Sequence, residues 1–63
     1  MLKSTTELTT DDVFEIGDDT FEVWSDPAPV GDNGRWAFMA KDMKTKQIME
    51  HQAQPDMQWR VPR

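Results

Sequence analysis

The chain contains no cysteine, so neither a disulfide staple nor a thiolate metal knot can hold it together, and the usual device of miniature secreted domains is excluded. Long apolar runs are missing as well. Nothing approaches the roughly 18 residues of a membrane helix, and the opening Met1 to Asp12 has no apolar core of a signal peptide. These absences predict a protein with no membrane role that stays where it is made, in the cytoplasm, or in a virion if a phage encodes it. Base is scarce too: 7 Lys and Arg stand against 12 Asp and Glu, a net charge of −5, whereas nucleic-acid binding draws its affinity from clustered Lys and Arg.

What is present is short. A chain of 63 residues makes one domain, and at this size only about 60% of the unfolded surface is buried, so the core is thin. Stability near the margin favours a partner or self-assembly. Charge is unevenly spread: residues 1–34 hold one base and nine acids, −8, and residues 35–63 hold six bases and three acids, +3. The simplest arrangement folds the acidic and basic halves against each other.

Residues 1–10 are polar, Thr-rich and without periodicity, which predicts a flexible N-terminal arm followed by a single small β-barrel domain over residues 11–63. From Val13 onward apolar residues alternate. Val13, Phe14 and Ile16, a polar break at Gly17-Asp18-Asp19, then Phe21 and Val23 read as a β-hairpin. Ser25 to Gly34, with Pro27, Pro29, Gly31 and Gly34, reads as a loop of about ten residues, longer than the usual 4–6 and of the kind that often carries function. Asn33-Gly34 then launches a strand from Arg35 to Lys41 with Trp36, Phe38 and Ala40 on one face. Gln47 to His51 and Gln58 to Val61 supply two more strands, separated by Pro55. Five strands and no helical stripe predict an all-β, five-stranded SH3-like (KOW-like) barrel.

The runs Phe14 to Val23, Pro29 to Gly34, Ala37 to Asp42, Thr45-Lys46 and Met57 to Pro62 together resemble the N-terminal KOW-like barrel of elongation factor P and its counterpart initiation factor 5A. The likeness spans roughly Asp11 to Pro62. It implies the SH3-like fold and, in function, RNA or ribosome binding. In that family the loop carries a modified Lys beside the matching Gly; here Asp32 and Asn33 stand there, and a negative loop tip opposes RNA phosphate.

Chemistry-bearing residues are few. His51 is the single histidine, with no cysteine to activate, and reads as a solvated strand residue. Asp11-Asp12 and Asp18-Asp19 lack the alternation of a calcium loop and read as turn and surface residues. No Gly-rich phosphate cradle is present, since Gly31 and Gly34 are not followed by Lys and Ser or Thr. The pattern therefore predicts no enzyme, no catalytic or metal residues, no cofactor and no small-molecule substrate. Three tryptophans stand out. Trp36 alternates with Phe38 and belongs in the core, Trp24 is open between core and surface, and Trp59 either closes the core or stacks on a base.

The leading functional expectation is a non-enzymatic protein-interaction module, such as a small viral or phage accessory or assembly subunit. Its site comprises Trp24, Asp26, Asp32, Asn33 and Arg35, because a proline-restrained loop loses little entropy on binding and its acids select a basic partner. A second reading is RNA or ribosome binding through Arg35, Lys41, Lys44, Lys46, Arg60 and Arg63. A third is mimicry of nucleic acid by the acidic N-terminal half.

Overall fold

A computed structural model of the chain describes residues 1–62. Strand follows strand, interrupted only by turns and a 3-10 turn at Thr5–Glu7: β1 (Leu2–Ser4), β2 (Val13–Ile16), β3 (Asp19–Val23), β4 (Ala28–Val30), β5 (Arg35–Asp42), β6 (Ile48–Ala53) and β7 (Gln58–Arg60). All pairings are antiparallel, and the sheet runs β1-β7-β2-β3-β5-β4, with β6 on the other edge of β5. The sheet curls into a half-barrel around one core, and the all-β expectation holds. Seven strands stand where five were expected.

The β2–β3 hairpin closes tightly. Ile16 pairs with Asp19, leaving only Gly17 and Asp18 in the loop, and Gly17 has φ +60 while Asp18 does not enter positive φ. That combination suits a type II′ turn, whose twist matches the flanking strands. The register then sets Phe14 opposite Phe21 on the inner face and Glu15 opposite Thr20 on the outer face.

The additional strands, β1 and β4, lie in segments expected to be irregular. Residues 1–10, expected as a loose arm, carry β1, which pairs with β7 from Leu2↔Arg60 to Ser4↔Gln58. The Met1 and Val61 backbones exchange hydrogen bonds of 2.8 Å in both directions. Thr5 and Leu8 are 0% and 2% exposed, so packing begins well before residue 11. Three strand residues are too few for a periodic signal, and the partner strand lies at the other end of the sequence. Within Ser25–Gly34, expected as loop throughout, Ala28–Val30 pairs with β5. Pro29 is tolerated because β4 lies at an edge of the sheet, where the missing N–H can face away from β5. The true turn is only Gly31 to Gly34, with both glycines at positive φ.

The core gathers Leu8, Phe14, Val23, Phe38, Ala40, Ala53, Trp59 and Val61, with Phe21 against it. Its centre is aromatic: Phe14 lies 4.9 Å from Trp59, edge to face, and 5.3 Å from Phe21, stacked. His51 joins this cluster. It stacks on Phe38 at 5.5 Å and meets Phe21 edge-on at 5.4 Å, so it is half-buried among rings and not the solvated residue expected. It sits opposite Phe38 across β5 and β6, and desolvation pushes its pKa below the ordinary 6.5. Trp36 is only half-buried and lies outside the cluster, because β5 places it beside Pro29 and Ala53 at the far end of the strand.

One buried polar contact ties this core together. The Trp59 indole Nε1–H donates to Thr5 Oγ1 at 2.9 Å, while the Thr5 N–H donates to the Met57 carbonyl at 3.0 Å. Thr5→Val keeps the shape and strands the indole N–H in an apolar core, so a loss of about 1–3 kcal/mol is expected. Thr5→Ser retains the hydroxyl and should lose less. Urea denaturation of the two variants checks this, and equal losses would show that the hydrogen bond contributes nothing.

The His51 environment has a pH consequence. Below its ordinary pKa the unfolded chain binds a proton that the folded chain disfavours, so stability is fully present above pH 6.5 and declines as pH falls through the window between that value and the depressed folded one. Replacing His51 with Phe should flatten the stability profile just below pH 6.5, measured by thermal melts as the pH is lowered from neutrality.

Candidate functional site

Beyond Val23 the β3 strand leaves regular pairing. The Trp24 and Ser25 N–H groups both donate to the Met39 carbonyl, at 2.7 and 3.2 Å, and the Met39 N–H donates to Ser25 Oγ at 2.9 Å. Two residues thus face one, the arrangement of a β-bulge, which bends a strand and re-aims its side chains. Trp24 is left 50% exposed on the outer face of the sheet, with the Lys41 ammonium 5.4 Å from its ring centroid. This is a cation–π contact, worth about 0.5–1 kcal/mol when exposed. Lys41 pairs across the strands with Glu22, so acid, base and indole share one surface.

The remaining expected partner-binding residues are spread along β4 and its connections. Asp26 Oδ1 accepts from the Thr10 N–H at 3.1 Å, which fastens the start of the loop to the N-terminal segment. Asn33 Oδ1 accepts from the Arg35 N–H at 3.1 Å, an Asx-type bond that stiffens the Gly31–Gly34 turn. Asp32 is exposed at the tip of that turn. Trp24 faces Met39 while Arg35 opens β5, four positions away and so about 13 Å along the strand. The structure therefore arranges the five residues along a ridge and does not gather them into one pocket. Sequence reasoning missed Ser25 and Met39, which fix the backbone at Trp24. A hydroxyl directly after the exposed tryptophan was the available signal.

The alternative basic set is more scattered. Arg35 and Lys41 stand near opposite ends of β5. Lys44 lies 3.7 Å from Asp19, and Arg60 lies 3.7 Å from Glu15. Lys46 is exposed on the β5–β6 turn, and Arg63 lies outside the described residues. Basic groups on the sheet thus alternate with acids and form no unbroken stripe. Trp59, 5% exposed and with its N–H engaged by Thr5, closes the core and offers no face to a base.

Close to the Trp24 end of β3, where the Asp12 carbonyl accepts from the Val23 N–H at 3.0 Å, Lys3, Asp11, Asp12, Val13, Val61 and Pro62 line a groove. Lys3 and Asp12 fill part of it with an ion pair of 3.0 Å. Burial raises the Asp12 carboxyl, but the Lys3 ammonium and the Thr9 N–H outweigh it and hold the group below its ordinary value. Among the described residues no three His, Asp or Glu side chains converge to hold a metal ion, and no helix is long and apolar enough to cross a membrane. The chain matches no family model, no curated protein and no solved structure.

The turn that carries Lys44 and Lys46 is strained. Asp42 Oδ1 accepts from the Lys44 N–H at 2.8 Å and the Asp42 carbonyl accepts from the Lys46 N–H at 2.7 Å, which forces Lys46 to φ +68. Left-handed backbone costs an L-residue roughly 1–2 kcal/mol, part of which glycine would give back as extra unfolded-state entropy. Lys46→Gly should therefore stabilise the fold by about 0.5–1 kcal/mol, visible as a higher urea midpoint; a lower midpoint would mean the Lys46 side chain contributes something the backbone argument omits.

Proposed function

We propose that the chain is a non-enzymatic protein-interaction module on an SH3-like barrel, acting as an accessory or assembly subunit. The observation that carries the reading is Trp24: a large aromatic side chain, half exposed, held by a bulge whose hydrogen bonds come from Ser25 and Met39. A backbone fixed in this way has little freedom left to lose on binding, and Trp is over-represented among residues that dominate protein interfaces. The order β7-β2-β3-β5-β6, a meander whose last strand returns beside its first, supports the SH3-like assignment, with β1 and β4 as additions. So does the resemblance to the elongation factor P barrel.

The partner that fits is a protein surface presenting an apolar side chain to Trp24 and basic side chains to the acidic surroundings. Residues 1–34 carry −8, and Asp26, Asp32 and Glu22 lie along or beside the Trp24 ridge. Interspersed acids oppose the phosphate-binding alternative, because a bound strand would meet repulsion between each pair of attractive contacts.

Trp24→Ala removes the anchor without touching the core. Capture of partners from a lysate of the native host, treated or untreated with nuclease, should give a nuclease-resistant protein whose affinity for the purified chain drops more than tenfold, or about 1.4 kcal/mol, in the variant. Capture that vanishes with nuclease, together with RNA binding whose log–log salt slope grows by about −0.7 per neutralised phosphate, would replace this reading with the RNA-binding one. Deleting the whole loop is the poorer test, since it also removes β4 from the edge of β5.

A further inference from the structure

We infer that two copies of this chain associate by pairing their β6 strands, antiparallel and about a two-fold axis, into one continuous sheet. β6 pairs with β5 from Trp36↔Ala53 to Lys41↔Ile48, and along its other edge no described residue pairs with it. Backbone donors and acceptors left along a sheet edge form a template for another strand, and proteins that remain monomeric protect such edges with short strands, proline, lysine or bulges. The other two free edges here are protected. β1 has three residues with Lys3 at its centre, and β4 has three with Pro29 at its centre. β6 has six residues, Ile-Met-Glu-His-Gln-Ala, with no proline, no lysine and no glycine. Its apolar side chains are not withdrawn either: Met49 is 59% exposed and Ile48 42%.

The pattern of side chains along β6 selects the partner and the register. Residues opposite one another in an antiparallel pair share a face, and faces alternate along each strand. A two-fold axis perpendicular to the sheet therefore permits only registers in which the paired residue numbers sum to an even value. Two such registers overlay five of the six strand residues. Centring on Glu50 sets this carboxylate against its own copy, and like charges directly opposite are destabilising. Centring on His51 sets Glu50 against the partner's Gln52, an acceptor against an amide donor, places the half-buried His51 opposite its own copy, and sets Met49 opposite the partner's Ala53, whose side chain is turned into its own core at 3% exposure, so that Glu50 and Gln52 carry the side-chain match. Gln52 Nε2 already donates to Glu50 Oε1 at 3.1 Å within one strand, so both side chains occupy the surface where the cross-strand contact would form. The only charge on the strand is thereby matched, and the strand complements itself.

The interface lies across β5 from Trp24, which sits on the β3 side. Pairing leaves both Trp24 surfaces free and places two of them on one assembly. The inference stands on the β6 edge alone and does not rest on the function proposed for Trp24.

Sedimentation equilibrium of the full chain over increasing concentration should show the mass rising from 7.3 kDa toward twice that value. Gln52 is exposed, so substitutions there leave the core untouched, and circular dichroism with thermal melts confirms the fold of each variant. Gln52→Glu places carboxylates opposite each other twice per dimer and should weaken association about tenfold. Gln52→Lys creates two opposite-charge pairs and should tighten it by a similar factor. The double substitution Glu50→Lys with Gln52→Glu restores opposite charges and should recover the association that Gln52→Glu loses. A chain that stays at the monomer mass at all concentrations overturns the inference, as does a dimer whose affinity is indifferent to the sign of charge at position 52.

Discussion

The hydrogen bond from Trp59 to Thr5 is the constraint on which the rest of the fold depends. It is a fully buried side-chain contact between residues 54 positions apart, and each partner serves a second purpose. Trp59 packs edge-on against Phe14 and Phe38, so fixing its indole fixes the aromatic centre. Thr5 links by its backbone to Met57 and Leu8, so fixing its hydroxyl brings the N-terminal segment over the core. Without a disulfide, a small chain gains most from contacts that join distant segments while burying large apolar surface. This contact meets both conditions.

The second organising element is β5, among the described residues the longest strand at eight residues and the only one with three neighbours. β3 and β4 divide one edge of it, and β6 occupies the other. The bulge at Trp24-Ser25 marks the place where β3 hands over that edge to β4. A half-barrel built on such a spine has a well-buried side, where Phe14 and Val23 are 0% and 1% exposed, and an open side at β6, where Met49 is 59% exposed. The exposed tryptophan and the unprotected strand edge are thus products of one architecture, displayed on opposite sides of β5.

Sequence pattern revealed the elements whose signals are local. The β2–β3 hairpin was legible because Gly17-Asp18 provides a turn between alternating apolar residues, and β5, β6 and β7 were placed to within two residues by alternation and by Pro55. What escaped were features fixed by distant partners. β1 is three residues long and takes its identity from β7, while β4 holds a proline that argues against a strand unless the strand is known to lie at an edge. His51 reads as polar in isolation and becomes part of an aromatic cluster only when the half-barrel places Phe21 and Phe38 around it. At the candidate site the exposure of Trp24 was an open question in the sequence, because alternation says which face a residue takes but not which face is covered. The spread of Arg35 away from Trp24 was hidden for the opposite reason: the two ends of a loop lie close together, whereas here β4 separates them.

The pairing of β1 with β7 also sets how the molecule would respond to force. Met1 and Val61 hydrogen-bond to each other in both directions, so tension applied at these two positions pulls neighbouring antiparallel strands apart from one end. Hydrogen bonds loaded in this way open in succession, like a zipper, and never share the load as they would in shear. Peeling would proceed from Leu2↔Arg60 toward Ser4↔Gln58 and arrive next at Thr5, where the buried hydroxyl leaves the indole. The fold is therefore mechanically soft along this axis, and its first intermediate under tension would be a half-barrel with Trp59 newly open to water.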